Sequence, residues 1–476
     1  MKKEYIVHDH IVQTITEQIR NWQKGDQKKK LRFKHGSTNT TRSQQQNFEY
    51  IDTTSLNHVL EINTEEKWAL VEPNVPMDFL VEETLKYGLV PAVVMEFPGI
   101  TVGGGVQGAA LESSSFKFGQ FNDTCVEYEL ITGDGRVIKA SENQNSDLFY
   151  GISSSYGTLA IVTLVKLRLI VAKPYVKLSY RFFNDEKSTV DCLREESKRE
   201  TNDYLEGIIF SPKSAVVIKG IFSETAEGDI KTFNHQTDPW FYRHVKKILE
   251  NGKEYSDYVP IKEYLFRYNR GAFWMGEYAL AIFHIPSTAL NRIIFDRFLN
   301  TRKLYERLHV ANVSQNYLIQ DFYYPFDKAM EYLDFNSREM EIYPVWLCPI
   351  KATGTAQKLS PHYSTKDTHL LNIGIYGQSK KFLKRGVVER NRQVEIFAEK
   401  NNARKMFYAQ SYYPKDEFWK IYDYSWYLDL RKKYGALNVF PEIWEKIFVS
   451  ELYKPKVVTG LLGHALKGAM KKIRIV

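Results

Sequence analysis

The chain has 476 residues and a formal net charge of +8, so roughly two or three domains are expected rather than one. Its three cysteines, Cys125, Cys192 and Cys348, are far apart and form no CxxC pair, which argues against a zinc site or a disulfide framework. The N-terminus lacks the apolar core of a signal peptide, no run of about 18 apolar residues predicts a transmembrane helix, and no nucleic-acid-binding motif accompanies the basic charge.

Hydrophobic periodicity predicts a helix first and then a series of short strands. Apolar residues at helical spacing indicate a leading helix over residues 5–22. β-Rich runs follow at 31–33, 50–51, 60–62 and 68–72. Residues 77–87 then predict a helix that ends at Gly88, and residues 98–115 form a stretch rich in glycine and serine.

The next segment predicts a hairpin and a long strand, after which the composition changes. Gly133-Asp134-Gly135 separates two β-rich runs, and residues 157–171 are rich in β-branched side chains. From Pro174 onward, strands mix with aromatic and basic helices, which is typical of an α+β cap. We therefore predict an α+β protein with a first domain over residues 1–178, a substrate or cap domain over 179–450, and a tail over 451–476.

One glycine motif allows two interpretations. Gly103 to Gly108 satisfies G-x-G-x-x-G, but a Rossmann fold requires a strand before the motif and a long helix after it. Pro98 and Gly99 interrupt the approach, and Gly119 makes a long following helix improbable. The motif is better interpreted as a loop whose backbone amides approach a flavin pyrophosphate, with a tight packing turn as the alternative.

Four segments together resemble the FAD-linked oxidase domain of the vanillyl-alcohol-oxidase superfamily. They are His35–Thr40, Pro98–Gly105, Asn145–Tyr150 and Gly157–Thr163. Further segments are similar to the delta-24-sterol reductase branch of that superfamily. They are Glu112–Ser115, Lys173–Leu178, Tyr343–Pro349 and Asp416–Trp419. The resemblance spans residues 31–448 and implies a two-subdomain FAD-binding domain of the PCMH type, followed by a cap domain.

The resemblance also implies which residues bind the cofactor. They are His35, Gly36, Ser37, Thr38, Asn39, Thr40, Pro98, Gly99, Ile100, Thr101, Gly103, Gly104, Gly105, Gly108, Ser113, Ser114, Ser115, Gly119, Gly157, Thr158, Ile161 and Val162. Residues 109–118 contain neither His nor Cys for a covalent flavin link, so noncovalent FAD is expected. The resemblance further implies NADPH as electron donor, and no metal is expected.

The activity that the resemblance implies is reduction of a C=C bond in a sterol or isoprenoid-like lipid. An isolated alkene is not polarised by a carbonyl, so a positioned acid must protonate it. Glu112, beside the glycine loop, is the first candidate, and Tyr376 is the second. The alternatives are that Glu112 caps the amides that follow it and that Tyr376 only packs. The relatives read E-S-S-S-H-K-Y-G, whereas this chain has Phe116 and Phe118, so that histidine has no counterpart here.

Other functions and partners are left open by the residues. An FAD-linked oxidase of an alditol, sugar or aldonolactone is the alternative enzyme, and a non-catalytic flavin-binding interaction protein is the alternative of another class. Arg267 and Arg270 are interpreted either as partners of a carboxylate or phosphate, or as surface cations stacked on rings. The apolar and basic pattern of residues 451–476 predicts an amphipathic helix that either binds a membrane surface or docks on its own protein or a second subunit. The protein is expected in the cytoplasm, and peripheral membrane association and homo-oligomer formation are both left open.

Overall fold

The computed structural model describes residues 3–36, 39–42, 47–252, 254–311, 316–383 and 386–449. Ser37 and Thr38 of the predicted first phosphate loop, and the predicted tail over 451–476, lie outside the described residues. Within the described part of the chain, no helix combines the length and the apolar character needed to cross a bilayer.

Helices and strands both contribute large parts of the fold. The helices are α1 (Lys3–Lys24), α2 (Met77–Leu85), α3 (Val102–Gly108), α4 (Ser115–Phe118), α5 (Ser146–Ile152), α6 (Glu186–Glu196), α7 (Phe241–Asn251), α8 (Ile261–Leu265), α9 (Met275–Ile282), α10 (Ala289–Phe295), α11 (Thr301–Ala311), α12 (Ala329–Phe335), α13 (Lys380–Leu383), α14 (Val387–Lys400), α15 (Lys415–Ile421), α16 (Tyr424–Lys433) and α17 (Ile443–Ile447). The strands are β1 (Leu31–Lys34), β2 (Glu49–Asp52), β3 (Val59–Asn63), β4 (Trp68–Val71), β5 (Leu89–Pro91), β6 (Cys125–Thr132), β7 (Val137–Ser141), β8 (Ala160–Val171), β9 (Tyr175–Phe183), β10 (Tyr204–Ser211), β11 (Ser214–Ser223), β12 (Tyr255–Pro260), β13 (Leu318–Pro325), β14 (Val345–Lys351), β15 (His369–Gly377) and β16 (Arg404–Lys405). The predicted α+β class is confirmed.

The first part of the chain forms two sheets. β1 and β2 pair in parallel, and a six-stranded antiparallel sheet has the order β3-β4-β8-β6-β7, with β5 also pairing with β8. β8 lies between β6 on one side and β4 and β5 on the other. Because β8 is covered in this way, its sequence AIVTLVKLRLIV is almost continuously apolar through its first half instead of alternating.

The second part of the chain forms an eight-stranded antiparallel sheet with the order β12-β9-β11-β10-β14-β15-β13-β16. The chain passes from one large sheet to the other between Val171, the last residue of β8, and Tyr175, the first residue of β9. The predicted domain boundary at residue 178 falls inside β9. Aliphatic residues of β10, β13, β14 and β15 pack beneath this sheet with α12 and α14 in an apolar core of their own.

Helix α16 and the segment after it return to the part of the chain that forms the six-stranded sheet. Arg431 of α16 is buried and donates to the carbonyl of Thr158 at 2.9 Å and to carbonyls of the segment that follows α16. The Gly133 amide donates to the carbonyl of Tyr434 at 2.9 Å, and the backbone of Gly435 lies against Gly133 so closely that no side chain fits there. The glycine of the predicted hairpin is therefore an interface position.

The N-terminal helix is fixed to the six-stranded sheet by a buried histidine. His8 is 2% exposed, and its ring nitrogens lie 2.7 Å from a Glu72 oxygen and 3.0 Å from a Glu129 oxygen. Burial by itself would lower the pKa of His8, but the hydrogen bonds to Glu129 and Glu72 raise that pKa to about 9. The protonated ring thus bridges two carboxylates beneath α1.

This bridge predicts a loss of stability at alkaline pH. Because the pKa of His8 in the folded protein exceeds its unfolded value of about 6.5, its contribution is complete below that value and disappears as the pH rises through about 9. We expect His8→Gln to lower the free energy of unfolding by on the order of 2 kcal/mol near pH 6, and by progressively less at higher pH. Urea denaturation of wild type and His8→Gln from about pH 6 to about pH 9 measures the difference in the free energy of unfolding. His10→Gln, at an exposed position of α1, is the control, and an equal pH dependence in both variants would contradict the assignment.

Candidate functional site

The predicted glycine loop folds into the short helix α3. The Thr101 side chain caps it by accepting the Gly104 amide at 3.2 Å. A Cβ on Gly103 would lie 2.6 Å from the Cβ of Pro73, and one on Gly105 would lie 2.5 Å from the methyl carbon of Met95. The two flanking glycines thus let α3 lie against neighbouring segments, whereas Gly104 is exposed at its N-terminus. The packing interpretation therefore applies to Gly103 and Gly105, whereas ligand approach at Gly104 stays a prediction.

The described part of the predicted first phosphate loop lies beside the predicted second loop. A Cβ built on Gly99 would be 3.7 Å from the side-chain nitrogen of Asn39, and Gly36 is exposed with open space where a side chain would stand. The Thr40 hydroxyl donates to the carbonyl of Tyr408 at 2.5 Å. The described residues of both predicted loops therefore meet, next to a residue from the C-terminal half of the chain.

Three cations gather behind these loops. Arg42 lies 4.6 Å over the ring of Tyr156, and its Nη1 atom is buried without a hydrogen-bond partner among the described residues. Burial lowers the pKa of Arg42 to about 10, and the charge of Arg32 lowers it as well. Burial also lowers the pKa of Lys446 well below its usual value, as do the charges of Arg32 and Arg42. We call Arg32, Arg42 and Lys446 the cation cluster.

The cation cluster fits a phosphate-bearing cofactor. Within the described part of the chain, none of its members forms an ion pair with a carboxylate, so the three like charges repel one another in a partly desolvated place. Burying unpaired charge is costly unless a counter-charge arrives. A diphosphate would supply that charge and would accept the orphaned Arg42 Nη1 donor. Sequence reasoning missed this cluster, since Lys446 lies more than 400 residues after Arg42 and no local motif links it to the two arginines.

The other predicted cofactor residues have partners within the protein. The hydroxyls of Ser114 and Ser115 are bonded to the backbone of Ala92 and Glu112, and Ser113 contacts Tyr264 at 3.0 Å. Other predicted positions pack against neighbours: Gly119 lies against Asp123, Gly157 against Phe33, and Gly108 against Tyr156. The Thr158 hydroxyl is hydrogen-bonded to Tyr427, and Ile161 and Val162 are buried in β8. His35, Pro98 and Ile100 belong to the two predicted loops themselves. Their cofactor contacts stay predictions.

Glu112, the first predicted acid, belongs to a buried ion network. Its carboxylate lies 2.8 Å from the Arg267 guanidinium, which is fully buried and also lies 2.7 Å from Glu206. The Ser113 amide and hydroxyl donate to the other Glu112 oxygen. Tyr268 and Trp346 donate to the second Glu206 oxygen at 2.8 and 2.7 Å. This Arg267 network joins the loop after α3 to the eight-stranded sheet, and it commits both Glu112 oxygens to other partners.

Arg267 and Arg270 are both partners of carboxylates, which is the first of the two predicted alternatives. Arg270 is 3% exposed, lies 2.6 Å from Asp296, and donates to backbone carbonyls of residues 233–238. Phe116, at the position where the resemblance implies a histidine, is 2% exposed in the apolar core beneath the eight-stranded sheet. Its side chain therefore packs in that core.

Tyr376, the second predicted acid, lies in a cluster around Asp321. The hydroxyl of Tyr376 donates to Asp321 at 3.0 Å, the Tyr408 hydroxyl donates at 2.6 Å, and the Asn372 amide donates at 2.7 Å. Burial raises the pKa of Asp321 to about 6, although these three hydrogen bonds act to lower it. Tyr408 is the same residue whose carbonyl accepts from Thr40, so this Asp321 cluster lies one residue away from the first loop.

A further carboxyl group, Glu96, lies just before the second loop. Burial, followed by the charge of nearby Glu112, raises the pKa of Glu96 to about 8, and Asp321 acts in the same direction. The charge of Arg267 opposes this shift but is shared between Glu112 and Glu206. Sequence reasoning missed Glu96 and Asp321. The available signal was a lone acid within the apolar run 89–97 and another within the aromatic run 318–325.

Aromatic rings beside the Asp321 cluster form a connected row that includes Phe97, the residue after Glu96, and we call this row the aromatic wall. The ring of Phe97 lies 5.9 Å from that of Phe273 and 6.0 Å from that of Tyr305. Phe273 in turn lies 5.2 Å from both Tyr376 and Trp346. The acids thus stand in a largely apolar setting, where a neutral carboxylic acid is favoured over a carboxylate.

Comparison with known proteins agrees with this geometry. A family model described as an FAD binding domain matches residues 12–141, which hold both loops and α3. The Delta(24)-sterol reductase of Homo sapiens is 31% identical over 408 residues, covering 83% of this chain and 76% of the human protein. The chain belongs to the Delta(24)-sterol reductase family. The Pisum sativum and Caenorhabditis elegans members are 30% and 28% identical, over 86% and 92% of the chain.

Membership of the Delta(24)-sterol reductase family confirms the predicted branch and the predicted FAD-binding fold. The matched segment ends at Ala140-Ser141, in β7, so the FAD-binding assignment rests on the part of the chain that carries α3 and both loops. FAD is accordingly the cofactor, and the contacts of the loops and of the cation cluster with it stay predictions. The Asp321 cluster lies outside the matched segment and comes from the second large sheet.

Proposed function

We propose that this protein is an FAD-dependent reductase of a carbon–carbon double bond in a sterol or isoprenoid-like lipid, with NADPH as electron donor. The observation that carries the proposal is that the two predicted cofactor loops lie next to the buried Asp321 cluster and to the aromatic rings around Tyr376. Relatives named Delta(24)-sterol reductase support a sterol side chain as the substrate class.

Each part of the site has a task in this reaction. The cation cluster and the loops around Gly36, Asn39, Gly99 and Gly104 hold the diphosphate, and bound FAD supplies hydride-transfer chemistry. The aromatic wall binds the apolar substrate and excludes water. An unpolarised alkene offers no carbonyl oxygen to stabilise, so the residues around it must hold and deliver a proton. An oxidase of a sugar or alditol would instead require polar groups along this wall.

Flavin spectroscopy tests the proposal directly. The purified yellow protein is reduced anaerobically with NADPH and mixed with a sterol that has a double bond between carbons 24 and 25. We expect the oxidised flavin absorbance to return and the sterol mass to rise by two hydrogens. A saturated sterol of the same skeleton is the control. If the alkene leaves the reduced flavin unchanged while an alditol or aldonolactone reduces the oxidised flavin, the reductase assignment is wrong and the oxidase is favoured.

A further inference from the structure

We propose that the segment which joins α9 to α10 is a docking surface for a membrane that carries anionic lipids. Its exposed apolar side chains are Ile282, Phe283 and Leu290, which we call the apolar patch. Arg297 and Arg307, which follow in the chain, supply positive charge. The proposal goes beyond the proposed function, because binding to a bilayer requires no turnover.

The apolar patch is exposed to a large extent for side chains of this size. The relative exposures of Ile282, Phe283 and Leu290 are 49%, 37% and 65%. Helix α10 has the sequence ALNRIIF and yet none of its residues is buried. A surface helix of a soluble protein normally turns its apolar side toward a core. Large apolar side chains that are exposed close together in the chain are typical of a surface that binds a protein or a membrane.

The contacts that fix this segment to the protein are mostly polar. Glu277 of α9 pairs with Arg243 of α7, and the Ser287 hydroxyl donates to the same carboxylate at 3.4 Å. Arg292 of α10 donates to the carbonyl of Ser287, and its guanidinium lies 5.7 Å over the ring of Trp240. Charged groups and a backbone carbonyl thus hold α10 to α9 and α7, while the apolar patch stays exposed.

The two arginines that follow α10 bring unpaired positive charge to this surface. Arg297 and Arg307 lie 4.5 and 4.6 Å over the ring of Phe298, so one ring gathers two guanidinium groups. Among the residues that the structure describes, neither arginine forms an ion pair, whereas the acids of the same segment are already paired. These pairs are Glu277 with Arg243, Asp296 with Arg270, and Glu306 with Lys303. The phosphate and carboxylate groups of anionic lipids would supply the missing negative charge.

Charge distinguishes a membrane from the other occupants of such a surface. A second copy of the chain related by twofold symmetry would place the same arginines opposite one another, where like charges repel. Residues 451–476 contain six lysines and arginines and one glutamate, so this segment is positive as well. An anionic bilayer offers apolar chains and negative headgroups together, which matches both the apolar patch and the two arginines.

Both ends of this segment reach the aromatic wall. Trp274, immediately before α9, donates to the carbonyl of Tyr376 at 2.6 Å, and its ring lies 5.7 Å from the Tyr376 ring. After α10, the Tyr305 ring of α11 lies 6.0 Å from the ring of Phe97. Helix α9 has 8 residues and rises by about 12 Å between Trp274 and the apolar patch. A membrane bound at the patch would therefore hold the aromatic wall near a reservoir of apolar lipid.

Vesicle co-sedimentation of the full, FAD-loaded chain tests the apolar patch. Phe283→Ser combined with Leu290→Ser should lower the affinity for vesicles of phosphatidylcholine and phosphatidylserine by about 10- to 100-fold, because two apolar side chains no longer enter the bilayer. Val126→Ser combined with Val137→Ser, at exposed positions of β6 and β7, is the matched control and should bind like wild type. Phe283→Leu combined with Leu290→Phe keeps the apolar area and should also retain binding.

The contribution of the charge is tested by lipid composition. Arg297→Gln should lower binding to the anionic vesicles by about fivefold and should leave the weaker binding to vesicles of phosphatidylcholine alone unchanged. Arg168→Gln, at an exposed position of β8, is the control. An equal loss on both kinds of vesicle, or no loss on either, would overturn the assignment of an anionic lipid.

A fluorescent label distinguishes this surface from the predicted tail. Cys125 and Cys348 are buried, so Cys192→Ser provides a background in which an introduced thiol is labelled selectively with a nitrobenzoxadiazole dye. We expect the label on Leu290→Cys to shift its emission to shorter wavelength when anionic vesicles are added, because the dye enters apolar surroundings. The label on Val137→Cys should not shift. Pelleting of the protein with vesicles while both labels stay unchanged would overturn the proposal and favour the tail.

These outcomes are independent of the proposed function. If wild type binds no vesicles although a sterol alkene in detergent micelles reoxidises its reduced flavin, the docking surface is wrong and the reductase stands. If the label at position 290 enters the bilayer but no alkene reoxidises the flavin, the docking surface stands and the reductase assignment is wrong.

Discussion

Replacing Arg267 by methionine is expected to lower the free energy of unfolding by about 3–5 kcal/mol, the usual cost of removing one partner from a buried ion pair. Arg267 is fully buried, and its guanidinium faces Glu112 at 2.8 Å and Glu206 at 2.7 Å. Without it, two carboxylates would stand next to each other in an apolar interior. Either the two carboxyl groups would take up protons, or part of the interface between the loop after α3 and the eight-stranded sheet would unfold.

Guanidinium chloride denaturation of the FAD-loaded protein measures this loss. Arg168→Met, at an exposed position of β8, is the matched control and should change stability by less than about 0.5 kcal/mol. Combining Arg267→Met with Glu112→Gln should cost less than the sum of the single variants, since the neutral amide no longer needs the guanidinium. A loss below about 1 kcal/mol for Arg267→Met, or strict additivity of the pair, would contradict the network as described.

Removing one member of the cation cluster should weaken FAD binding strongly while sparing the protein without FAD. A charge-assisted hydrogen bond contributes about 1.5–3 kcal/mol, so we expect Arg42→Met or Lys446→Met to raise the Kd for FAD by about 10- to 100-fold. In the FAD-free protein the three cations repel one another, which predicts unchanged or higher thermal stability for each variant. FAD affinity should thus fall without a loss of stability of the FAD-free protein.

Flavin fluorescence titration measures the affinity, and thermal unfolding of the stripped protein measures the stability. Lys30→Met is the control, because Lys30 is on the surface nearby and already has Glu445 as a partner at 2.9 Å. Its FAD affinity should stay within about twofold of wild type. If Arg42→Met and Lys446→Met bind FAD as tightly as wild type, the cluster does not hold the diphosphate and its unpaired charges need another explanation.

Local patterns predicted the elements of the fold that depend on neighbours in sequence. The leading helix, the helix after Pro76 and the near-continuous apolar strand β8 all follow from periodicity and turn residues. The return of α16 to the first domain did not follow, because it depends on Arg431 meeting the Thr158 carbonyl across more than half the chain. Carbonyl acceptors are the same at every position of a sequence, so such an interface has no local signal.

The features of the candidate site also fall into those that local sequence predicts and those that depend on long-range contacts. The amino-acid sequence by itself determined the family and the cofactor, and it predicts two phosphate loops, because all of these depend on short runs in which small residues stand at fixed spacing. Only the tertiary structure decided which partners each carboxyl group has. Glu112 is adjacent to the glycine loop in sequence yet is committed to Arg267, whereas Asp321 is held by Tyr376, Tyr408 and Asn372. The protonation state of an acid depends on burial and on the charges around it, and both are properties of the folded chain.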